Sequence, residues 1–424
     1  MNLFAKLTES YDNKTNLDRL ASRFHALSEI GATPDFGATR VAYSPEDRQA
    51  KELLKGWMRE AGLRVREDAV GNVFGLLEGS RPELPIVLAG SHIDTVPNGG
   101  HFDGVAGVLT ALEVAQRWKE QGYAPIRGLE VAAFADEEGS RFHASLTGSH
   151  FMMGELDLEA VKHYRDDDGL GFEEVLRADG LDAARAHEAA RKPDELHGYV
   201  ELHIEQGQVL EKQGLPVGIV NGIAGPAWLD MRWTGRASHA GTTPMGMRSD
   251  ALAGAGEFVA VLDSLPEAFS PTAVATVGKF DVYPNGSNVI PGEVKLVVDV
   301  RDIDLGSRDR LIDEIVRVAQ EIAARRGLQV SCDVNIKIDP TPMSPLLMAC
   351  IRQAVEREGL PAFELTSGAG HDAMVIGRRV PTGMIFVRCL EGISHNPAEW
   401  ASLSDLAVGL RVLDDTLKQL ASSP

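Results

Sequence analysis

The sequence predicts an α/β fold: a catalytic domain on a mostly parallel sheet, interrupted by a smaller inserted α+β domain. Three observations carry this. At 424 residues the chain exceeds what one ordinary core supports. Its first 210 residues or so alternate helical patterns with short, continuous apolar runs, the mark of strands buried on both faces. From about residue 215 to 339 the texture changes to closely spaced strand-like segments with only two helical stretches. The expected boundaries are 1–213 and 340–424 for the catalytic domain and 214–339 for the insertion.

Each element has a local cause. Ser44 followed by Pro45, Glu46 and Asp47 is a helix start, with a capping hydroxyl, a proline in the first turn and acids at the positive dipole end. That helix runs to about Ala61, and Gly62 is its stop. Residues 70–77 and 85–90 read as strands, a glycine-rich loop follows, and a helix spans about 108–121. Residues 129–135 form another apolar run, a buried strand. Residues 152–193 are charged, Ala-rich and helical in flavour, a peripheral excursion, and strand 198–204 returns to the core. The insertion is expected to contain strands 217–221, 228–234, 274–282 and 294–300. Its helices are 248–265 and one from the Ser307 cap to Gly327, a ferredoxin-like count. Ser344 and Pro345 then start another helix and the α/β rhythm resumes. In such sheets ligands sit at the carboxyl ends of the strands.

Composition excludes some functions. Asp and Glu number 62 against 42 Lys and Arg, a formal net charge of −20. That balance argues against nucleic acid or an anionic membrane as main partner, though a local arginine can still hold an anionic substrate. No basic stripe with interleaved aromatics occurs. The opening MNLFAKLTES lacks a signal-peptide layout, and no apolar run approaches the roughly 20 residues of a membrane span. Cys332, Cys350 and Cys389 are few and odd in number, so a reducing, cytoplasmic location is expected.

Five clusters carry candidate chemistry. His92 and Asp94 follow strand 85–90 two residues apart, which suits a metal ligand and the acid that orients it, or an ordinary polar turn. Asp103 lies in a Gly-rich loop before a helix, where it can approach a cation or simply cap the helix. Asp136, Glu137 and Glu138 end strand 129–135. Three successive acids there need a compensating cation unless they form a solvated turn. His203 lies on strand 198–204, where a core histidine is the alternative, and His395 follows an apolar run by a short loop. Together His92, Asp103, Glu138, His203 and His395 form a set suited to Zn²⁺ or Mn²⁺.

With those residues assembled, the sequence resembles the carbamoylase/allantoate amidohydrolase branch (the hydantoinase/carbamoylase family amidases) of the aminoacylase-like dinuclear metallohydrolases. GSHIDTVPNGGHFDG, FADEEGSRF, ELHIEQGQVLE, GRASHAGTTPMGMRSDA, SNVIPG, VDVRD, SGAGHDA and GISHNPAE occur in that branch's order from about residue 90 to 400. The resemblance implies a metal-dependent hydrolase of ureido or amide C–N bonds, holding two divalent ions (Zn²⁺, or Mn²⁺, Co²⁺ or Ni²⁺). It implies Asp103 between the two ions, His92 and His203 on one, and Glu138 and His395 on the other. Glu137 would be the general base and Asp94 the partner of His92. His239, Asn288, Arg301, Gln206 and His371 would face substrate, with Asp372 beside the last. The insertion would be a lid and the seat of a homodimer. The expected substrate is an N-carbamoyl-L-amino acid, since residues 102–107 (FDGVAG) and 225–228 (GPAW) look more like carbamoylases. Allantoate is the alternative, and N-acyl amino acids or dipeptides are less expected because of His203. A metal-free scaffold is the contrasting reading, against which the complete ligand set argues.

Overall fold

The structure, a computed structural model, describes residues 17–423, so the N-terminal segment read for a leader lies outside them. The chain divides into two compact units, one comprising the chain through Asn221 together with Met343 onward, the other Gly222–Pro342.

The first unit is built on the large sheet. Its centre is four parallel strands in the order Leu129–Phe134, Ile86–His92, Leu196–Ile204, Thr382–Val387. Strands Val73–Leu77 and Arg64–Glu67 add antiparallel on one side, and Val217–Ile223 on the other. Side chains alternate between the faces, as period-2 strands require. Val200, Leu202 and Ile204 share one core with Val87, Ala89, Val131, Ile385 and the apolar faces of helices Asp18–Ser28, Val105–Glu120, Pro345–Arg357 and Leu403–Ala421. Tyr199, Glu201 and His203 alternate with them and are buried as well.

Several elements follow their sequence signals closely. Helix Pro45–Glu60 starts as expected, its Ser44 hydroxyl accepting the Asp47 N–H. The strand expected from residue 70 begins at Val73, because Asp68 accepts the N–H groups of Val70 and Asn72 and Gly71 turns the chain at φ +86°. The helix expected from residue 108 begins at Val105, directly after Gly104. The 152–193 excursion is short helices and 3₁₀ turns, including Phe172–Ala178 and Ala183–Ala189, around a cluster with Tyr43, Phe151 and Phe172.

The second unit is a four-stranded antiparallel sheet in the order Gln329–Lys337, Gly225–Thr234, Glu293–Asp302, Val274–Tyr283. Helices Ala251–Leu262 and Leu305–Arg326 cover one face through Leu229, Trp233, Val294 and Val298. In chain order this is β-α-β-β-α-β, the ferredoxin-like layout. One expected member is different. Val217–Ile223 pairs with Thr382–Val387 in the large sheet, and Gln329–Lys337 takes the fourth place here. That last strand is an edge, exposed or half-buried throughout, and its sequence QVSCDVNIK alternates polar and apolar residues as a strand with one solvated face does.

Candidate metal centre and active site

The site grows from the carboxyl ends of the central strands. His92 is the last residue of Ile86–His92, His203 lies next to last in Leu196–Ile204, and Glu137 and Glu138 follow Leu129–Phe134 by three and four residues. Asp103 comes from the glycine loop, and Gly104 beside it must be glycine. Its φ is +63°, and a Cβ there would meet the His92 ring at 2.4 Å.

Asp103 is the hub. Its Oδ1 lies 3.0 Å from His203 Nε2 and 3.6 Å from His92 Nε2, and its Oδ2 lies 3.3 Å from His395 Nε2. His395 Nε2 is also 3.4 Å from Glu138 Oε2. The ligand atoms of His92, Asp103 and His203 converge in one group and those of Asp103, Glu138 and His395 in another, sharing the aspartate. The tautomers suit a cation. His92 Nδ1 donates to the Asp94 carbonyl at 3.0 Å and His203 Nδ1 to the Ile204 carbonyl at 2.9 Å, which leaves each Nε2 lone pair facing Asp103. The Gly104 N–H also points at His203 Nε2, at 3.2 Å. A third convergence, Glu201 with His203 and His371, is weaker. Glu201 already accepts from Ser91 and the Ala373 N–H, and the open nitrogen of His203 faces Asp103.

Charge in this cluster is unbalanced in the way a divalent ion corrects. Burial and the neighbouring acids push Glu137 well above the usual carboxylate range. Burial and Asp103 raise Glu138 to about 7. Against the opposing effect of burial, Glu137 and Asp103 hold the His92 imidazole well above its ordinary pKa. Also against burial, His203, His395 and His92 hold Asp103 well below the carboxylate range. Carboxylates that cannot all ionise in a buried pocket, beside histidines with lone pairs turned inward, fit a dication site. The cluster meets solvent at His395, whose side chain is 50% exposed, while His92 and His203 are buried.

Asp94 does more than expected of a histidine partner. Its carbonyl orients His92, and its carboxylate accepts the N–H groups of Glu137 at 3.4 Å and Glu138 at 3.3 Å. Gln206, at φ +55°, donates to Asp103 Oδ2 at 2.7 Å, and its Oε1 is buried without a partner. His371 is buried, its ring 4.4 Å from that of His203 and its Nε2 2.9 Å from Ser367 Oγ. It thus packs behind a candidate ligand, with the buried Asp372 following it.

The remaining expected residues lie in the second unit. His239 and Asn288 adjoin on the short ribbon of Ser238–His239 with Val289–Ile290, where the Ala240 N–H donates to the Asn288 carbonyl. Both are exposed. His239 Nδ1 accepts the N–H groups of Gly241 at 3.0 Å and Thr242 at 3.2 Å, so its proton resides on Nε2. Arg301, near the end of Glu293–Asp302, pairs with Asp299 through Nε at 3.0 Å and Nη2 at 2.6 Å.

Two residues had no role in the sequence reading. Glu399 is buried and accepts the N–H groups of Phe102 at 2.8 Å and Asp103 at 3.1 Å. Ser394 Oγ lies 2.7 Å from Asp103 Oδ2 and 2.8 Å from Glu399 Oε2. The only signal was their place on either side of His395, in GISHNPAE.

The two-unit chain, with candidate metal ligands converging at the strand ends of its α/β sheet, has the makings of a metallohydrolase. The family model for peptidase family M20/M25/M40 matches residues 88–419, and this chain belongs to that family. It is 45% identical over 404 residues to an N-carbamoyl-L-amino acid amidohydrolase from Geobacillus stearothermophilus, covering 95% of this chain and 98% of that one. It is 38% identical over 395 residues to the allantoate amidohydrolase of Escherichia coli strain K12, covering 93% and 96%. The crystal structure of a hydantoinase/carbamoylase family amidase from Burkholderia multivorans superposes with a TM-score of 0.92 at 36% identity, covering 97% of this chain and 99% of that one. The chain is a hydrolase of C–N bonds other than peptide bonds.

Proposed function

We propose that this chain hydrolyses N-carbamoyl-L-amino acids to the amino acid, ammonia and carbon dioxide, using two divalent ions. The observation that carries the reading is Asp103, shared between two convergent ligand groups at the sheet's carboxyl end. The amino acid preference rests on the closer identity to a carbamoyl-amino-acid enzyme, 45% against 38% for an allantoate enzyme.

His92, Asp103 and His203 would hold one ion and Asp103, Glu138 and His395 the other, as Zn²⁺, Mn²⁺, Co²⁺ or Ni²⁺. Bound divalent ions would supply Lewis acidity toward the ureido carbonyl and acidify the attacking water. Glu137, held by Asp94 through its backbone N–H, takes the proton from that water and delivers it to the leaving nitrogen. His239 offers its Nε2–H, and Asn288 its amide, to the developing oxyanion. Arg301 would receive the substrate carboxylate in its planar fork. Gln206, bonded to Asp103, and His371, packed on the His203 ring, would support substrate from the metal cluster. A homodimer through the second unit is part of the proposal. It is supported by an open edge strand, Val274–Tyr283, with Val274 51% and Tyr283 46% exposed. A cytoplasmic location agrees with three free cysteines, and no helix among the described residues is long and apolar enough to cross a membrane.

The test is ammonia release by the metal-loaded protein from N-carbamoyl-L-amino acids and from allantoate, side by side. Release from the carbamoyl compounds that a chelator abolishes and added metal restores is the expected result. Allantoate turnover at a higher kcat/KM would reassign the substrate while leaving the site intact. Inactivity on both, with two metals bound, would turn the search to acyl amides and peptides.

A further inference from the structure

We propose that Glu399 is a positioning residue that sets metal affinity by clamping the loop that carries Asp103. This rests on the two-metal reading above. Glu399 lies 296 residues from Asp103 in sequence, yet its Oε1 accepts both the Phe102 and the Asp103 backbone N–H groups. Its Oε2 reaches the Asp103 carboxylate through Ser394, in steps of 2.8 and 2.7 Å. One buried side chain thus holds the backbone and, through a hydroxyl, the ligand oxygen of the same residue.

The loop is shaped to admit it. Glycine at position 100 leaves the space that Glu399 fills, and a Cβ there would come within 2.1 Å of Oε1. Helix Val105–Glu120 begins two residues after Asp103, and Phe102 is pinned by an edge-to-face contact with Trp400, the neighbour of Glu399. The clamp, the aromatic contact and the helix start leave Asp103 little freedom to leave its shared position. Supporting hydrogen bonds of this kind are worth about 10–100-fold in metal affinity.

The geometry makes a distinctive demand on substitutions. A glutamine at position 399 keeps every bond: its amide oxygen accepts the same two N–H groups and its N–H donates to Ser394, whose own proton goes to Asp103. Alanine keeps none.

The experiment is Zn²⁺ titration of the metal-stripped full chain against a chromophoric chelator, with circular dichroism of the apo form as the folding control. Wild type is expected to bind two ions. Glu399→Ala should weaken at least one site about 10–100-fold, and Glu399→Gln should stay within about threefold of wild type. Gly100→Ala should weaken binding in the wild-type background, because its Cβ would meet Glu399 Oε1 at 2.1 Å and Glu399 Cβ at 2.5 Å. If Glu399→Ala does not fold, Gly100→Ala and Glu399→Gln carry the test. Wild-type affinity in folded Glu399→Ala, or a loss in Glu399→Gln as large as in Glu399→Ala, would overturn the proposal. No Zn²⁺ uptake by wild type would overturn the two-metal reading itself, and this inference with it.

Discussion

The metal cluster of the first unit and the His239 ribbon of the second are built on opposite plans. Around Asp103, nearly every group is buried and held twice. His92 and His203 have their tautomers set by backbone carbonyls, Asp94 caps the turn of Glu137 and Glu138, and Glu399 grips the loop. On the ribbon, His239 and Asn288 are exposed, and only the Nδ1 side of His239 is engaged. The first plan holds charges that would repel without rigid support. The second suits groups that make their main contacts with substrate, whose hydrogen bonds must stay open until it arrives.

If the comparison is right, damage to the two regions should differ in kind. The largest effect is expected at the hub. Asp103→Asn removes the charge shared by both ligand groups, so metal analysis should find neither ion retained through dialysis. kcat/KM should fall by about 10⁴-fold or more, the equivalent of several kcal/mol of charge stabilisation. Retention of two ions by this variant would break the hub reading. Glu137→Gln comes next. Its side chain belongs to neither ligand group, so both ions should stay bound while kcat falls about 10²–10⁴-fold. A kcat within about threefold of wild type would remove Glu137 from the base role.

His239→Ala probes the other plan. Metal content and thermal stability should match wild type, since the side chain is exposed and supports only its own turn. kcat should fall about 10²-fold, in the range for losing one oxyanion donor. Lost metal in this variant would show that the two regions are not separable.

The same contrast explains what could be read in the sequence. His92, Glu137 and His203 stand at the ends of apolar runs, and a buried strand ending in acids or histidines is visible locally. The helix caps at Ser44 and Gly327 were equally plain. Glu399 was not, because its partners are backbone N–H groups some 296 residues away, and no residue pattern near it encodes that contact. Strand Gln329–Lys337 was legible and overlooked: QVSCDVNIK alternates polar and apolar residues at every position, the period-2 pattern of a strand with one solvated face. His239, Asn288 and Arg301 came from family resemblance alone. The first two are exposed at a two-residue ribbon and the third is half-buried near the end of a ten-residue strand, and nothing local sets them apart from ordinary polar residues.

Arg301 is where the smallest effect is expected and where the test can be sharpest. In the structure its fork is matched with the Asp299 carboxylate, two residues away on the same strand. The pair keeps the planar guanidinium oriented, and a substrate carboxylate would share or displace that partner. Arg301→Lys retains the charge but loses the fork. KM for N-carbamoyl amino acids should rise about tenfold with kcat nearly unchanged, the pattern of binding lost equally from ground and transition states. An N-carbamoyl amine without the carboxylate should be turned over equally poorly by wild type and Arg301→Lys, because the interaction has nothing to act on. If kcat falls while KM holds, Arg301 stabilises the reacting carbonyl instead, and it belongs with His239 among the groups that act in the transition state.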